Sequence, residues 1–447
     1  MPWNDSRLAE LERFHTRQQR QVLRAFASHL QLVGLPHGEQ VENAVARYKA
    51  SGLVRFAEPD FLVTTASTLP NDPRFQDGTQ WWLNNYGQNG GLPGADVDAP
   101  EAWDVLRAAS NVVVAILDTG VRYTHEDLAD NLWTNPVDQT HGFNALSGNH
   151  DPWDDNGHGT HLAGIIGAVG DNATGVVGVA WRVRIMACKF LNSAGEGFNS
   201  DAVACIEFAR ANGAHVINMS WGSPEFSAAV SNAIWSARED GILVAAAVGN
   251  NAGNIDLTPY YPASLDLDNL VTVGASTRED SVWSLSNHGV GSVDLFAPGA
   301  AIYSTAFGGD NAYASRSGSS MASACVAGAL ALLRQREPTA PCRDLVARLL
   351  ATVDAVPAFA GKCASGGRIN LRKALDRPSL TASSDARPLR LRVQGVPGHQ
   401  YVLTASTNFA DWTPLQTNTT ALDGQWIFVD SGATNMPQRF YQARPGP

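Results

Sequence analysis

Cysteine is scarce in this chain: five in 447 residues, too few to build a disulfide-stapled scaffold. Basic charge is also short. Lys and Arg number 32 against 43 Asp and Glu, a formal net charge of -11. That deficit excludes the basic footprint of a nucleic-acid-binding surface. No run of about 18 apolar residues occurs, so no membrane-spanning helix is expected. The start, Met1-Pro2-Trp3-Asn4-Asp5-Ser6, holds no apolar leader segment. Either the protein is cytoplasmic or its natural start lies further upstream. What remains is an ordinary globular balance, 44% hydrophobic and 17% charged, with 41 Gly and 23 Pro that imply many tight turns. The length suits two or three domains of about 150 residues.

Texture divides the chain into three parts. Residues 6–30 read as an amphipathic helix through Leu8, Leu11, Val22, Phe26 and Leu30. Gln31–Leu35 follows as a strand, Val41–Ala50 as a helix and Leu53–Phe56 as a strand, an α-β-α-β unit closed by a polar linker over Thr64–Pro70. From about 71 to 377 near-continuous apolar runs alternate with helical ones. Val112–Leu117, Val183–Ala187, Ala214–Asn218, Ile242–Val248 and Leu270–Ala275 predict strands of a parallel sheet buried on both faces. His158–Ala168, Ser200–Ala211, Ser227–Glu239 and Ser320–Arg336 predict the helices that cover it. The expectation is an α/β, doubly wound parallel sheet, with ligands beyond the C-terminal strand ends. From 379 onward, Leu389–Val393, Tyr401–Ser406, Thr413–Gln416 and Trp426–Val429 predict a small all-β module.

Four short motifs sit where this fold would concentrate chemistry. Asp118 of Ala115-Ile116-Leu117-Asp118-Thr119-Gly120 ends an apolar strand, where a carboxylate can serve a site or merely cap the next turn. His158 of Asn156-Gly157-His158-Gly159-Thr160-His161 opens a helix. His158 and His161 are three apart and could share a face as metal ligands, but no third ligand of suitable spacing follows. Ser319 and Ser320, in Ser317-Gly318-Ser319-Ser320-Met321-Ala322-Ser323, open another helix, where a serine is either an N-cap or a nucleophile near unpaired N–H donors. Asn250, after Ala245-Ala246-Ala247-Val248-Gly249, puts an amide donor at a strand end, where a developing oxyanion could be bound.

Asp, His and Ser in that order, each at a strand end or helix start, form one of the known chain orders of a serine triad. Over residues 71–377 these segments resemble the subtilisin-like serine proteases, closest in motif to thermitase-like secreted members. The resemblance implies the subtilisin type of sheet, with Ser320 as nucleophile rather than Ser319, His158 as general base, Asp118 orienting it, and Asn250 with the Ser320 N–H binding the oxyanion. It implies that substrate backbone lies between Ser220-Trp221-Gly222 and Gly195-Glu196-Gly197, and that Ala246, Ala247 and Gly249 wall the primary specificity pocket. No charge sits in these stretches, which favours an apolar or aromatic substrate side chain; Tyr260, before Tyr261-Pro262-Ala263, narrows the pocket base.

The same resemblance implies a structural Ca²⁺ site: side chains of Asp72, Asp127 and Asn172, with backbone carbonyls of Val169, Thr174 and Val176. Six oxygens suit that ion. In the helix after Ser320, Cys325 stands where the family usually has a histidine outside the triad. Cys188 and Cys205 read as buried small apolar residues, and Cys342 with Cys363 as a candidate disulfide. Residues 31–61 resemble the C-terminal half of a propeptide, notably at Val41-Glu42 and Ala57-Glu58-Pro59-Asp60, which implies that 1–68 is a partial propeptide that aids folding and inhibits until self-cleavage near Thr64–Thr68. The usual strand before the first helix is missing, which suggests an absent natural start. The expected division is 1–68, 69–377 as catalytic domain, and 379–447 as a β-sandwich-like module. The expected partners are protein or peptide substrates and the chain's own propeptide, with no nucleic acid or membrane. Secretion and a monomeric state are expected by resemblance.

Two other readings compete. An inactive scaffold of the same fold would bind through its tail. An aspartic protease would pair Asp118-Thr119-Gly120 with Asp430-Ser431-Gly432, although the second motif lies in the β tail.

Overall fold

A computed structural model describes residues 5–18, 20–26, 30–35, 41–59, 69–383, 389–395, 400–421, 424–433 and 438–446. The chain divides into two compact units, Met1–Ala66 and Ser67–Pro447.

In the first unit the expected long helix stops early. Helix Asp5–Arg17 is followed by an antiparallel hairpin, Gln21–Ala25 with Gln31–Gly34, and by helix Val41–Ala50. The unit is therefore α-β-β-α, and Leu53–Phe56 forms no strand. Leu8, Leu11 and Phe14 keep a helical spacing up to Arg17. Beyond it Val22 gains a β-branched cross-strand partner, Val33, that a helix would deny it. The suggested cleavage segment Thr64–Thr68 lies outside the described residues.

The second unit is built on a nine-stranded sheet. Its order across the sheet is Asp354–Ala355, Gly367–Arg368, Leu295–Pro298, Leu270–Ser276, Leu243–Ala247, Val216–Met219, Ala108–Asp118, Arg182–Lys189 and Gly142–Asn144. Every neighbouring pair is parallel except the edge pair Asp354–Ala355 with Gly367–Arg368. The five apolar runs of the sequence are thus adjacent strands. Side-chain alternation splits the first of them. Val114 and Ile116 join the core under helices His158–Gly167 and Ser319–Arg336, whereas Val113, Ala115 and Leu117 join the core under helices Asn199–Ala211 and Ala228–Glu239. Every residue from Ser319 to Arg334 is buried, so that helix is enclosed on all sides.

Strand Ala108–Asp118 pairs with Arg182–Lys189 on one side and with Val216–Met219 on the other, so the chain crosses from one side of it to the other between those two strands. This change of direction is the switch point at which a crevice opens beyond the C-terminal strand ends. Asp118, and the residues just after Met219 and Ala247, lie there.

The tail contains two three-stranded antiparallel sheets. Ser379–Ser383, Leu389–Gln394 and Gln425–Asp430 form one; Thr413–Thr419, Gln400–Ser406 and Phe440–Pro445 form the other. Leu391, Val393, Tyr401, Leu403 and Trp426 make their small core, and Tyr401 Oη donates to Asp376 Oδ2 at 2.6 Å. All five cysteines are buried and free. The disulfide expectation fails because Cys342 belongs to the core on one sheet face and Cys363 to the core on the other. Among the described residues, no helix is long and apolar enough to cross a membrane.

Candidate active site

Asp118 has the same strand parity as Val114 and Ile116, so its side chain points to the face that holds the His158 helix. The carboxylate is fully buried, and its Oδ1 accepts from His158 Nδ1 at 2.8 Å and from its neighbour Thr119 N at 2.8 Å. The turn after it demands glycine: Gly120 has φ +108, and a Cβ there would lie 2.4 Å from Pro152 O. His158 opens its helix after Gly157, at φ +96, where a Cβ would come 2.3 Å from the Phe307 ring. Burial alone would depress the imidazole pKa. The adjoining Asp118 charge and hydrogen bond outweigh that and hold it above its ordinary value.

Three groups brace this arrangement, two of which, Asp154 and Lys189, the motif reading passed over. Asp154 is buried and accepts five hydrogen bonds. Oδ1 takes Thr119 Oγ1 (2.9 Å), Asn156 N (3.0 Å) and Gly157 N (2.8 Å); Oδ2 takes Thr160 N (3.0 Å) and Thr160 Oγ1 (2.5 Å). A negative charge at that helix N-terminus is favourable. Lys189 is buried as well, and its ammonium donates to Thr119 O (2.7 Å), Asp155 Oδ1 (2.6 Å) and Leu191 O (2.9 Å). A lysine directly after the apolar stretch Ile185–Cys188 was the sequence signal for it.

Ser319 is the third, and its bonds separate the two serines. Ser319 Oγ donates to Asn250 Oδ1 (2.9 Å) and accepts from Gly249 N (3.1 Å), and Ser319 N donates to the same Oδ1 (2.9 Å). Its hydroxyl is thereby committed to holding the Gly249–Asn250 turn. With Oδ1 so engaged, the Asn250 Nδ2 donors face away from Ser319. Ser320 Oγ donates to Ser220 O at 3.2 Å, and Ser220 Oγ donates to Ser320 O at 3.1 Å. The Ser320 N–H lies in the first helical turn, where no intrahelical acceptor exists. The Ser320 and His158 helices pack against each other. No hydrogen bond joins Ser320 Oγ to His158 among the described residues. Such bonds are often long in enzymes without substrate.

The segments expected to flank substrate are placed as follows. Trp221 stacks edge-on against Phe190 at 4.9 Å, and Ser223 and Tyr261 exchange two backbone bonds of 2.8 Å. Gly195 (φ +79) sits in an exposed turn closed by Asn192 N to Glu196 O at 2.8 Å, and Gly197 is exposed beside it. Ala246 and Ala247 are buried.

Asp72 and Asp127 are both fully buried, and each accepts hydrogen bonds from the loop Val169–Val176. Asp72 Oδ2 accepts from Asp171 N at 2.8 Å, but its Oδ1 has no partner. Asp127 Oδ1 accepts from Asn172 Nδ2 and Oδ2 from Val176 N, each at 2.8 Å. Asn172 Oδ1 in turn accepts from Thr174 N at 2.8 Å. Burial is the main cause that pushes Asp72 up to about 7 and Asp127 up to about 6, and the Asp127 charge raises Asp72 further. Two buried acids, one with an orphaned oxygen, suit a hard cation, while the other carboxylate oxygens accept from N–H groups of the loop. No group of three His, Cys, Asp or Glu arranged for a metal occurs among the described residues.

His161 does not partner His158 as a ligand. Its Nε2 lies 3.1 Å from Ala314 O, and burial lowers its pKa to about 3. The aspartic pairing also fails. Asp430 Oδ1 accepts from Gly432 N (2.9 Å), and Oδ2 from Tyr441 Oη (2.8 Å) and Arg439 (3.1 Å), in the tail sheet, while Asp118 faces His158.

Comparison with known proteins gives the family. Residues 109–387 match the model of the subtilase family. The chain is 39% identical over 293 residues to a thermophilic serine proteinase of Bacillus sp. (strain AK1), covering 66% of each chain. It is 40% identical over 263 residues to subtilisin DY of Bacillus licheniformis (59% of this chain, 90% of that one). It is 35% identical over 306 residues to thermitase of Thermoactinomyces vulgaris (68% and 99%). A solved protease from Pseudoalteromonas arctica PAMC 21717 superimposes with a TM-score of 0.59 at 31% identity, covering 68% of this chain and 98% of that one. The chain belongs to the subtilase family. Its class is that of a subtilisin-like serine endopeptidase.

Proposed function

We propose that Ser320 attacks the peptide carbonyl while His158 takes its proton. His158 then returns the proton to the leaving amine, and water, activated by the same imidazole, releases the acyl group from Ser320. Asp118 keeps Nδ1 protonated so that Nε2 is the basic nitrogen. Asn250 Nδ2 and the Ser320 N–H receive the charge on the carbonyl oxygen; one such donor is worth about 10²–10³ in rate, a magnitude the field took from a subtilisin. The observation that carries this reading is the 2.8 Å Asp118–His158 bond on a fully buried carboxylate.

Substrates are proteins and peptides that extend as a strand between Ser220–Gly222 and Gly195–Gly197. Ala246, Ala247 and Gly249 wall an uncharged primary pocket that selects apolar side chains. Asp72, Asp127 and Asn172, with the carbonyls of Val169, Thr174 and Val176, would hold one Ca²⁺ whose charge compensates the buried carboxylates. The ion's role is to stabilise the fold, and no step of peptide cleavage runs through it. Residues 1–68 act as propeptide of a secreted, monomeric zymogen, residues 69–377 as the catalytic domain and residues 379–447 as an appended β module. The test is hydrolysis of a peptide anilide by purified protein and by Ser320→Ala and His158→Ala. Each variant is expected to lose at least about 10³-fold in kcat. Full activity in either one would defeat the assignment.

A further inference from the structure

The slot between two walls of the proposed pocket is already partly filled. Strands Val216–Met219 and Leu243–Ala247 are parallel neighbours, with Met219 opposite Ala246. The chain leaves them as Ser220–Gly222 on one side and Val248–Gly249 on the other. Both glycines face the same ring. A Cβ at Gly222 would lie 2.3 Å from Tyr260 Cε1 and 2.8 Å from Cζ, and a Cβ at Gly249 would lie 3.1 Å from Cε1 and 3.2 Å from Cδ1. One edge of the phenol therefore stands between the two backbones; a side chain at Gly222 would strike it, and at Gly249, where φ is +92, a Cβ would also lie 2.7 Å from Asn287 Nδ2.

The ring is held there. Tyr260 N donates to Ser264 Oγ at 3.0 Å, and Ser264 N donates to Tyr260 O at 2.9 Å. The next residue, Tyr261, is fixed to Ser223 by two backbone bonds of 2.8 Å. Tyr260 packs with Trp221 against the core on that sheet face, and burial raises its phenol pKa. The bonds fix the backbone that carries the ring, and packing against the core fixes where the ring stands, so the space it occupies is closed to a substrate.

We infer that Tyr260 is a specificity-determining residue that shortens the primary pocket and restricts the side chain before the scissile bond to small apolar groups, with alanine preferred over phenylalanine. This rests on the proposed roles of Ser220–Gly222 and Ala246–Gly249 and narrows their apolar preference. A phenylalanine ring would have to overlap the phenol, and forcing extra atoms into a packed site is unfavourable.

The test measures kcat/KM on two tetrapeptide anilides that differ only in alanine or phenylalanine before the cleaved bond. Each enzyme is quantified by titrating Ser320 with a fluorophosphonate, so that misfolded protein is not counted. The unmodified enzyme is expected to favour alanine at least tenfold. Tyr260→Gly is expected to reverse that order, and Tyr260→Phe, which keeps the ring, to retain it. A titratable enzyme that cleaves phenylalanine as well as alanine, or a Tyr260→Gly variant with an unchanged ratio, overturns the inference alone. Failure of Ser320 to titrate removes the serine-protease reading, and the inference with it.

Discussion

Replacing Asp154 tests whether the His158 helix depends on a charge outside the triad. Asp154→Ala removes the acceptor of two buried amides, Gly157 N and Thr160 N, and of the hydroxyls of Thr119 and Thr160. Asn156 is only half-buried, so its N–H can turn to water. Hydrogen bonds to a charged group contribute about 1.5–3 kcal/mol each, so the two amides alone set a loss of about 3–6 kcal/mol. That is a large part of the 5–15 kcal/mol typical of a folded domain. Asp154→Asn should cost less. Its Nδ2 can take the place of Oδ2, where it opposes Thr160 N but can donate to Thr160 Oγ1, so one amide is lost, about 1.5–3 kcal/mol. The assay is urea unfolding in a Ser320→Ala background, which removes self-digestion. The order expected is parent, Asn, Ala. An Ala variant within 1 kcal/mol of its parent would refute the reasoning.

Other perturbations follow the same logic. The Asp118 charge holds the His158 imidazole above 6.5, and only neutral imidazole is a base, so kcat/KM should rise with pH through a midpoint above 6.5. Asp118→Asn, measured on its residual activity, should move that midpoint down; an unchanged midpoint would contradict the assigned cause. Chelation with EGTA should lower the thermal midpoint and excess Ca²⁺ restore it. A ligand at 100 times its dissociation constant stabilises by about 2.7 kcal/mol. Asp72→Asn should blunt this response, and an equal response in both proteins would dismiss the site. All five thiols are buried, and burial pushes Cys325 up to about 12, so a thiol reagent should react slowly with native protein. Five equivalents should appear in denaturant without reductant; three would mean that a disulfide had formed.

The sheet was legible because its strands are apolar on both faces: the segment Val112–Leu117 contributes alternate residues to both cores, so it reads as an unbroken run. The strand that ends at Asp118, and the helices that start near His158 and Ser320, were marked by glycine on one side and an apolar run on the other. The first unit was less legible. Val22, Phe26 and Leu30 fit helical spacing about as well as a hairpin, and only pairing with Gln31–Gly34 decides between them. Cys342 and Cys363 looked pairable along the chain because sequence separation carries no information about which side of a sheet a residue faces. Asp154 and Lys189 escaped notice because single charges are usually solvated; their importance arises from burial.

The account turns on whether Ser320 is an activated nucleophile. Folded protein with Ca²⁺ at neutral-to-alkaline pH would be treated with a fluorophosphonate probe, and the adduct located by peptide mapping, with Ser320→Ala as control. The prediction is a single label on Ser320, absent from the control and abolished when His158 is replaced. A label on Ser319, or none on well-folded protein freed of its N-terminal unit, would contradict the triad.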